Sequence, residues 1–285
     1  MNNWEGILRY AMIFGVALVV LKTPVRAETL AEKSLKEIAE RQRDIFARAE
    51  KDGDHLDMAS LRGELEGVIK SYDILIQKNP DYALAYGGYG MLLARVGMTK
   101  EAAIMLLKAN KLDPTMAEVK NKIAVLLAED GKPVDALPWV TAAIDLEPKK
   151  ALYHFQLGEL LAAGRADFIR TGQFDEAKLD QSMLEAFRHA SELSPGDFPI
   201  SYRYAKAYYE LGTPRWAEAL ALWEKLEQTV TNDTQRQLVR MQRANVLIKL
   251  GRNAEAQKLL DTVTSVDLAA DKQTLLDELA KPRDK

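Results

Sequence analysis

The chain has 285 residues, of which 47% are hydrophobic, only 7% are aromatic and none is cysteine, and its formal net charge is −3. The lack of cysteine excludes disulfides, zinc–thiolate sites, c-type haem attachment and thiol catalysis. The apolar content excludes an intrinsically disordered chain, and a mildly acidic protein without a basic stripe does not suit nucleic acid.

The first 27 residues have the organisation of a secretory signal peptide. A positively charged start precedes an uninterrupted apolar run, Ala11–Leu21, and Val25 and Ala27 give a small-x-small end after a proline break. We expect cleavage after Ala27 and a periplasmic or secreted mature protein. The alternative is an uncleaved membrane anchor running from about Ile7 to Leu21, although this apolar run is shorter than the roughly 20 residues that span a bilayer.

Residues 28–80 are predicted to form a helical pair, Leu30–Glu50 and Met58–Gln77, because apolar residues recur there at helical spacing. We interpret the pair as a degenerate repeat or N-terminal cap. The connection between the helices carries three carboxylates and faintly resembles a calcium loop. An EF-hand would need glycine where this chain has Asp57 and glutamate where it has Gly63, so we interpret Asp57 as a helix cap and predict no metal site.

Residues 81–264 are organised by a 34-residue period, which separates Pro80, Pro114 and Pro148. A period of this length indicates stacked helix–turn–helix units rather than a single-core enzyme. Small residues stand where paired helices must approach, and a glycine ends the first helix of a unit. In the first two units these positions are Gly90, Gly97, Ala102 and Ala109, then Ala124, Gly131, Ala136 and Ala143.

This pattern resembles the tetratricopeptide repeat, which combines leucine-glycine, a turn glycine and alanine-x3-aromatic-x2-alanine before a proline. Later units keep parts of it, such as Leu157-Gly158 and Ala219-x3-Trp223-x2-Leu226. The resemblance covers roughly residues 58–264. It implies about five repeats, an all-α right-handed superhelical solenoid, and a concave groove lined by the first helix of every unit.

Two segments depart from the repeat. Pro148 and Pro195 are 47 residues apart, 13 more than the period, which places an insertion at residues 164–177. The insertion either reaches a partner as a long loop or packs its apolar residues onto the stack. The fifth unit has Arg243 where leucine is expected, which predicts loose packing or a place near the end of the stack. Residues 265–285 are predicted to form a C-terminal capping helix and tail.

The resemblance also implies which residues face the groove, namely the second, fifth, ninth, twelfth and thirteenth places of each unit. From these places we predict the following partner-binding residues: Arg95, Asn121, Phe155, Glu159, Tyr202, Lys206, Tyr209 and Asn245. Buried rings would supply affinity for an extended or helical peptide, and the charged rim would set its register. The alternative is that each ring is a core residue that touches a neighbouring repeat.

We therefore expect a non-catalytic scaffold of the bacterial cell envelope that binds a protein or peptide and needs no cofactor. The three histidines are far apart in sequence, and no phosphate-binding glycine loop or serine nucleophile elbow is present. A second hypothesis is a membrane-tethered, self-associating assembly subunit of a secretion, pilus or outer-membrane complex. It alone implies membrane attachment and a homo-oligomer. A third is a peptidoglycan-associated module whose aromatic rings stack on sugars.

Overall fold

The computed structural model describes residues 29–53 and 57–281. The predicted signal peptide, residues 1–27, lies outside this part of the chain. The described residues form α-helices and two short 3-10 segments without any strand, so the protein is all-α. No helix within the described ranges combines the length and apolarity needed to cross a membrane. The chain divides into two compact units, of which unit 1 ends at Asp130 and unit 2 begins at Gly131.

Unit 1 is built from helices that pack against their neighbours in sequence. The helices are α1 Leu30–Asp52, α2 Met58–Lys78, α3 Ala83–Arg95, α4 Thr99–Leu112 and α5 Ala117–Glu129. Thr29 and Glu32 form a capping box at the start of α1, which satisfies backbone N–H groups that the first turn leaves free. Asp57 accepts hydrogen bonds from the backbone N–H groups of Ala59 and Ser60, which confirms its interpretation as the cap of α2.

Unit 2 continues the alternation of helices. They are α6 Pro133–Leu146, α7 Ala151–Ala163, α8 Arg165–Arg170, α9 Glu176–Leu193, α10 Phe198–Ala207, α11 Trp216–Thr229, α12 Asp233–Lys249, α13 Asn253–Asp261 and α14 Ala269–Ala280. The 3-10 segments are Tyr208–Glu210 and Val266–Leu268. Helix α14 packs on both α12 and α13, and Lys249 forms an ion pair with Glu278 across this contact at 2.8 Å.

Glycines allow the two helices of a repeat to touch. A Cβ atom added at Gly90 of α3 would lie 2.6 Å from Cγ of Leu106 on α4. A Cβ at Gly158 of α7 would lie 2.7 Å from the ring of Phe187 on α9. The turn between α3 and α4 needs a glycine for another reason, because Gly97 has a φ of 78° in the left-handed region. The small residues of the repeat therefore serve close packing and turning.

The insertion packs onto unit 2. It contains the short helix α8, whose Phe168 is fully buried, and the ring of Phe174 meets Phe168 edge to face at a centroid distance of 5.7 Å. The following helix, α9, has 18 residues, whereas α4 has 14. Of the two expectations for this segment, the structure therefore supports packing of its apolar residues onto the stack.

The fifth repeat packs tightly in spite of its arginine. Helix α12 buries Val239, Ala244 and Val246 completely. Arg243 forms ion pairs with Glu224 and Glu227 of α11, so it replaces the expected leucine contact with a charged one. The expectation of loose packing was wrong, whereas the expectation of a place near the end of the stack was correct, because only α13 and α14 follow among the described helices.

Candidate partner-binding surface

Unit 2 holds six of the eight predicted partner-binding residues. Phe155 and Glu159 lie on α7, Tyr202 and Lys206 on α10, Tyr209 in the 3-10 segment that follows, and Asn245 on α12. Arg203 of α10, which was not predicted, connects several of them. We call the surface formed by Phe155, Glu159, Tyr202, Arg203, Lys206 and Tyr209 the aromatic face.

Two rings of the aromatic face rest on fully buried aromatic side chains. The ring of Phe155 meets that of Phe187 edge to face, with centroids 5.8 Å apart. The ring of Tyr202 meets that of Trp223 in the same manner at 5.1 Å. Both Phe155 and Tyr202 remain half-buried. One side of each ring therefore belongs to the core, as the alternative interpretation expected, while part of its surface stays accessible to a partner.

The third ring is fixed by a hydrogen bond. The hydroxyl of Tyr209 donates to the backbone carbonyl of Gln242 on α12 at 3.1 Å, and its ring lies 5.5 Å from that of Trp216. Burial raises the pKa of Tyr209, and it raises the pKa of Tyr202 to about 12. Both phenols are thus neutral in ordinary solutions and present a polar tip on an apolar body.

Arg203 links α7 to α10 within the aromatic face. Its Nε donates to Oε1 of Glu159, and a second ion pair joins it to Glu210 at 3.0 Å. The guanidinium carbon lies 4.5 Å from the centroid of the Phe187 ring, a cation–π distance. Lys206 differs from Arg203 because it is exposed and forms no ion pair with a described residue. The face therefore combines a fixed charge network with the ammonium group of Lys206, which is unpaired within the part of the chain that the structure describes.

A second charge network fixes α12 beside α11. Glu227 accepts hydrogen bonds from Arg240 at 2.7 Å and from Arg243. Burial alone would raise the pKa of Glu227, but the two guanidinium groups outweigh burial and hold the pKa below its ordinary value. The carboxylate is therefore charged at neutral pH and joins the two helices.

The two remaining predicted residues lie in unit 1 and offer little polar surface. The guanidinium carbon of Arg95 lies 3.6 Å from the ring centroid of Phe46 on α1. Burial lowers the pKa of Arg95, while the nearby Glu50 acts in the opposite direction. Asn121 is only 7% exposed, and its side-chain oxygen accepts no hydrogen bond from the described residues. Partner binding by Arg95 and Asn121 stays a prediction. Both side chains expose less polar surface than that prediction assumed.

The predicted set omitted Arg203, Gln242 and Arg240. The repeat pattern marks positions that face the groove but does not mark the charges that hold those positions in place. One local signal existed, because Glu210 follows Arg203 by two helical turns and therefore shares its helix face. The pairing with Glu159, 44 residues away, needs the tertiary structure.

A cavity of about 540 Å³ lies between α9 and α10, outside the predicted positions. Its lining includes Leu184 and Arg188 of α9, and Tyr204 and Tyr208. The turn after the 3-10 segment borders this cavity, because the backbone N–H of Gly212 donates to Oδ2 of Asp180 at 2.9 Å. Asp180 also pairs with Arg165 of the insertion. Asp180 therefore joins the insertion to the turn that contains Gly212.

The rings of the two described histidines lie against each other in a tilted arrangement. The rings of His154 and His189 have centroids 5.4 Å apart, and Nε2 of His154 lies 2.8 Å from the backbone oxygen of Pro148. Within residues 29–53 and 57–281, no group of three or more histidine, cysteine, aspartate or glutamate side chains is placed to hold a metal ion.

Comparison with known proteins identifies the fold through structure and not through sequence. No protein-family model and no curated protein matches this sequence. The crystal structure of YrrB, a TPR protein with an unusual peptide-binding site, superposes with a TM-score of 0.57 over 73% of this chain and 97% of that chain, at 16% identity. The chain has the tetratricopeptide-repeat fold.

Two further tetratricopeptide-fold structures cover similar or larger parts of the chain. PilW, a type IV pilus biogenesis factor, superposes with a TM-score of 0.58 over 88% of this chain and all of that chain, at 13% identity. PilF of Pseudomonas aeruginosa gives a TM-score of 0.50 over 70% of this chain and 82% of that chain, at 20% identity. Identities this low show likeness of fold.

Proposed function

We propose that this chain is a non-catalytic scaffold that binds a protein or peptide segment on its aromatic face. The proposal rests on three half-buried rings of unit 2: Phe155 on α7, Tyr202 on α10, and Tyr209 on the 3-10 segment that follows α10. Each ring has one side held by the core or by a hydrogen bond, so little side-chain entropy remains to be lost on binding. Preorganised aromatic surface of this kind is typical of interface hot spots.

The partner that suits this face is an extended or helical peptide with an apolar side chain next to an acidic one. Lys206 lies between Tyr202 and Tyr209 along the chain and has no ion-pair partner among the described residues. Apolar side chains of the peptide would cover the rings, and a carboxylate would pair with Lys206. The peptide-binding site that gives YrrB its description supports a peptide ligand for a chain of the same fold.

We place this activity in the bacterial cell envelope, with the mature chain periplasmic or secreted. The signal-peptide pattern of residues 1–27 supports this location. PilW, which has the same fold, is a type IV pilus biogenesis factor. The second hypothesis is a membrane-tethered and self-associating assembly subunit. The N-terminal residue of the protein isolated from cells distinguishes the two hypotheses. Glu28 supports the first, and Met1 supports the second.

Affinity capture from an envelope extract tests the aromatic face. The baits are the unchanged chain, Lys206→Glu and a matched control, Lys225→Glu, which reverses an exposed lysine of α11 outside this face. We expect the same partner on the unchanged chain and the control, and its loss from Lys206→Glu, with equal helical circular dichroism. A triple variant with Phe155, Tyr202 and Tyr209 changed to alanine is expected to lose the partner as well. Retention by both altered baits would place binding elsewhere.

A further inference from the structure

The exposed side of α4 carries a stripe of lysine and aliphatic residues. Lys100, Ile104, Leu107 and Lys111 follow one another at intervals of four, three and four residues, which is the spacing of one helix face. Ile104 is 62% exposed and Leu107 is 49% exposed. We call these four residues the α4 stripe. The opposite side of the helix packs inward through its buried residues Ala102, Leu106 and Ala109.

Helix α2 repeats this arrangement. Lys70, Ile74 and Lys78 are exposed at intervals of four residues, and Ile74 is 51% exposed. We call these three residues the α2 stripe. The packed side of α2 faces α3, because the ring of Tyr72 stacks on that of Tyr89 at a centroid distance of 5.2 Å. Each stripe thus lies away from the side through which its helix packs inside unit 1.

The four lysines of the two stripes are electrostatically available. None of them forms an ion pair with a described residue. Glu101 is the only acidic residue of α4, which also contains Lys108, so this helix has a net positive charge in an acidic protein. Unpaired ammonium groups on both sides of exposed aliphatic side chains are complementary to a surface that is negatively charged outside and apolar beneath.

Unpaired lysines beside exposed aliphatic side chains favour a lipid surface over other binding partners. Phosphate backbones of nucleic acids would use the lysines but leave Ile74, Ile104 and Leu107 in water. A second copy is disfavoured, because antiparallel two-fold pairing of α4 would bring Lys100 against Lys111 of the partner copy. Anionic headgroups satisfy both features, since lysines attract them and aliphatic side chains enter the boundary between headgroups and acyl chains.

We propose that the outer face of unit 1, made of the α4 stripe and the α2 stripe, docks on anionic membrane surfaces. The lysines pair with headgroup phosphates, and the three aliphatic side chains insert shallowly. This activity is separate from the aromatic face of unit 2, and it needs no membrane-spanning segment.

Because the chain has no native cysteine, a single introduced cysteine can report on this face alone. Leu107→Cys in the full chain is labelled with an environment-sensitive fluorophore, and Ala221→Cys on the exposed side of α11 is the matched control. Vesicles of equal parts phosphatidylglycerol and phosphatidylcholine are compared with vesicles of phosphatidylcholine. We expect a blue shift at position 107 with anionic vesicles only, and none at position 221. The local readout separates docking of this face from any attachment through residues 1–27.

A second experiment removes the positive charges of the α4 stripe one at a time. Lys100→Gln and Lys111→Gln in the Leu107→Cys background should each raise the lipid concentration needed for half of the shift, by about fivefold. An unchanged spectrum on anionic vesicles, or an equal shift on neutral ones, would overturn the proposal. A shift that depends on protein concentration without vesicles would show instead that a second copy covers the face.

Discussion

Unit 1 and unit 2 are built from the same repeat but use their basic side chains differently. On the exposed second helices of unit 1 the lysines of the α2 and α4 stripes have no ion-pair partner among the described residues. In unit 2 the arginines Arg203, Arg240 and Arg243 are held by glutamates on neighbouring helices. The repeat specifies which helices touch, whereas a glutamate on a neighbouring helix decides whether a basic side chain fixes the scaffold, as Glu278 also does for Lys249.

The cores of the two units differ as well. In unit 1 two helices approach closely at Gly90 and the stacked rings of Tyr72 and Tyr89 are buried, whereas unit 2 buries the larger aromatic set Phe168, Phe187 and Trp223. Phe187 and Trp223 each meet a half-buried ring of the aromatic face, Phe155 and Tyr202 respectively.

The largest expected effect is that of Trp223→Ala. The indole is fully buried and supports the ring of Tyr202, so its removal leaves a cavity and should lower the free energy of unfolding by about 3–5 kcal/mol. Urea denaturation measures this effect. Lys225→Ala, on the exposed side of the same helix, is the control and should change stability by no more than about 0.5 kcal/mol. Equal effects of the two changes would show that the aromatic core is not tightly packed.

Replacing glycine by alanine should change the free energy of unfolding in opposite directions at different sites. At Gly90 and Gly158 a methyl group would lie within 2.6 and 2.7 Å of buried side chains, so overpacking should cost about 1–3 kcal/mol. At Gly63, which is exposed within α2 and has no atom within 4 Å of the added Cβ, the better helix propensity of alanine should stabilise by about 0.5–1 kcal/mol. Thermal unfolding of the three variants shows whether each one is more or less stable than the unchanged chain. Stabilisation at all three sites would contradict the close helix contacts.

Glu227 should contribute an acid-sensitive part of the stability. Its pKa in the folded chain lies below the ordinary 4.5, so its contribution is present above that value and is lost as the pH falls through the lowered pKa. Glu227→Gln should lower stability at neutral pH by about 1–2 kcal/mol, after allowance for solvent screening, and should flatten the decline of stability in acid. Urea midpoints measured as a function of pH show both effects.

The control for Glu227 lies in unit 1. Glu64 pairs with Arg48 of α1, but the arginine side chain is 60% exposed, so Glu64→Gln should leave the urea midpoint at neutral pH nearly unchanged. Equal losses for both glutamates would remove the distinction between fixed charges in unit 2 and exposed charges in unit 1.

The smallest expected effect on stability is that of the stripe lysines. Lys100→Gln and Lys111→Gln should change the free energy of unfolding by less than about 0.5 kcal/mol, because neither lysine has an ion-pair partner in the described residues. Thermal unfolding in the absence of lipid measures this. A larger loss would mean that these lysines hold the scaffold together in the way the unit 2 arginines do.

Much of the fold was predictable from residue spacing. The 34-residue period between Pro80, Pro114 and Pro148 marked the helix pairs, and the boundaries of α1 and α2 lie close to the predicted ones. Asp57 was correctly assigned as a cap, because capping needs only a short polar side chain beside the first turn. The ion pairs of Arg243 were not predicted, because its partners lie on a different helix, 16 and 19 residues earlier in the chain.

The candidate site was predictable only in part. Sequence position placed Phe155, Tyr202 and Tyr209 on first helices, but it left open whether each ring belongs to the core or to the surface, and the structure shows that each belongs partly to both. Arg203 could not be selected, because its main partner, Glu159, lies 44 residues away.

The sequence by itself determined the repeat, its turns and its close helix contacts, because these depend on residues three or four apart and on glycines that a local pattern specifies. Only the tertiary structure decided which charges are paired and which rings are half-buried. Pairing requires side chains from different helices to come within hydrogen-bond distance, and burial depends on every neighbour at once. The difference between the unpaired lysines of the two stripes and the arginines paired with glutamates can therefore be recognised only in the folded chain.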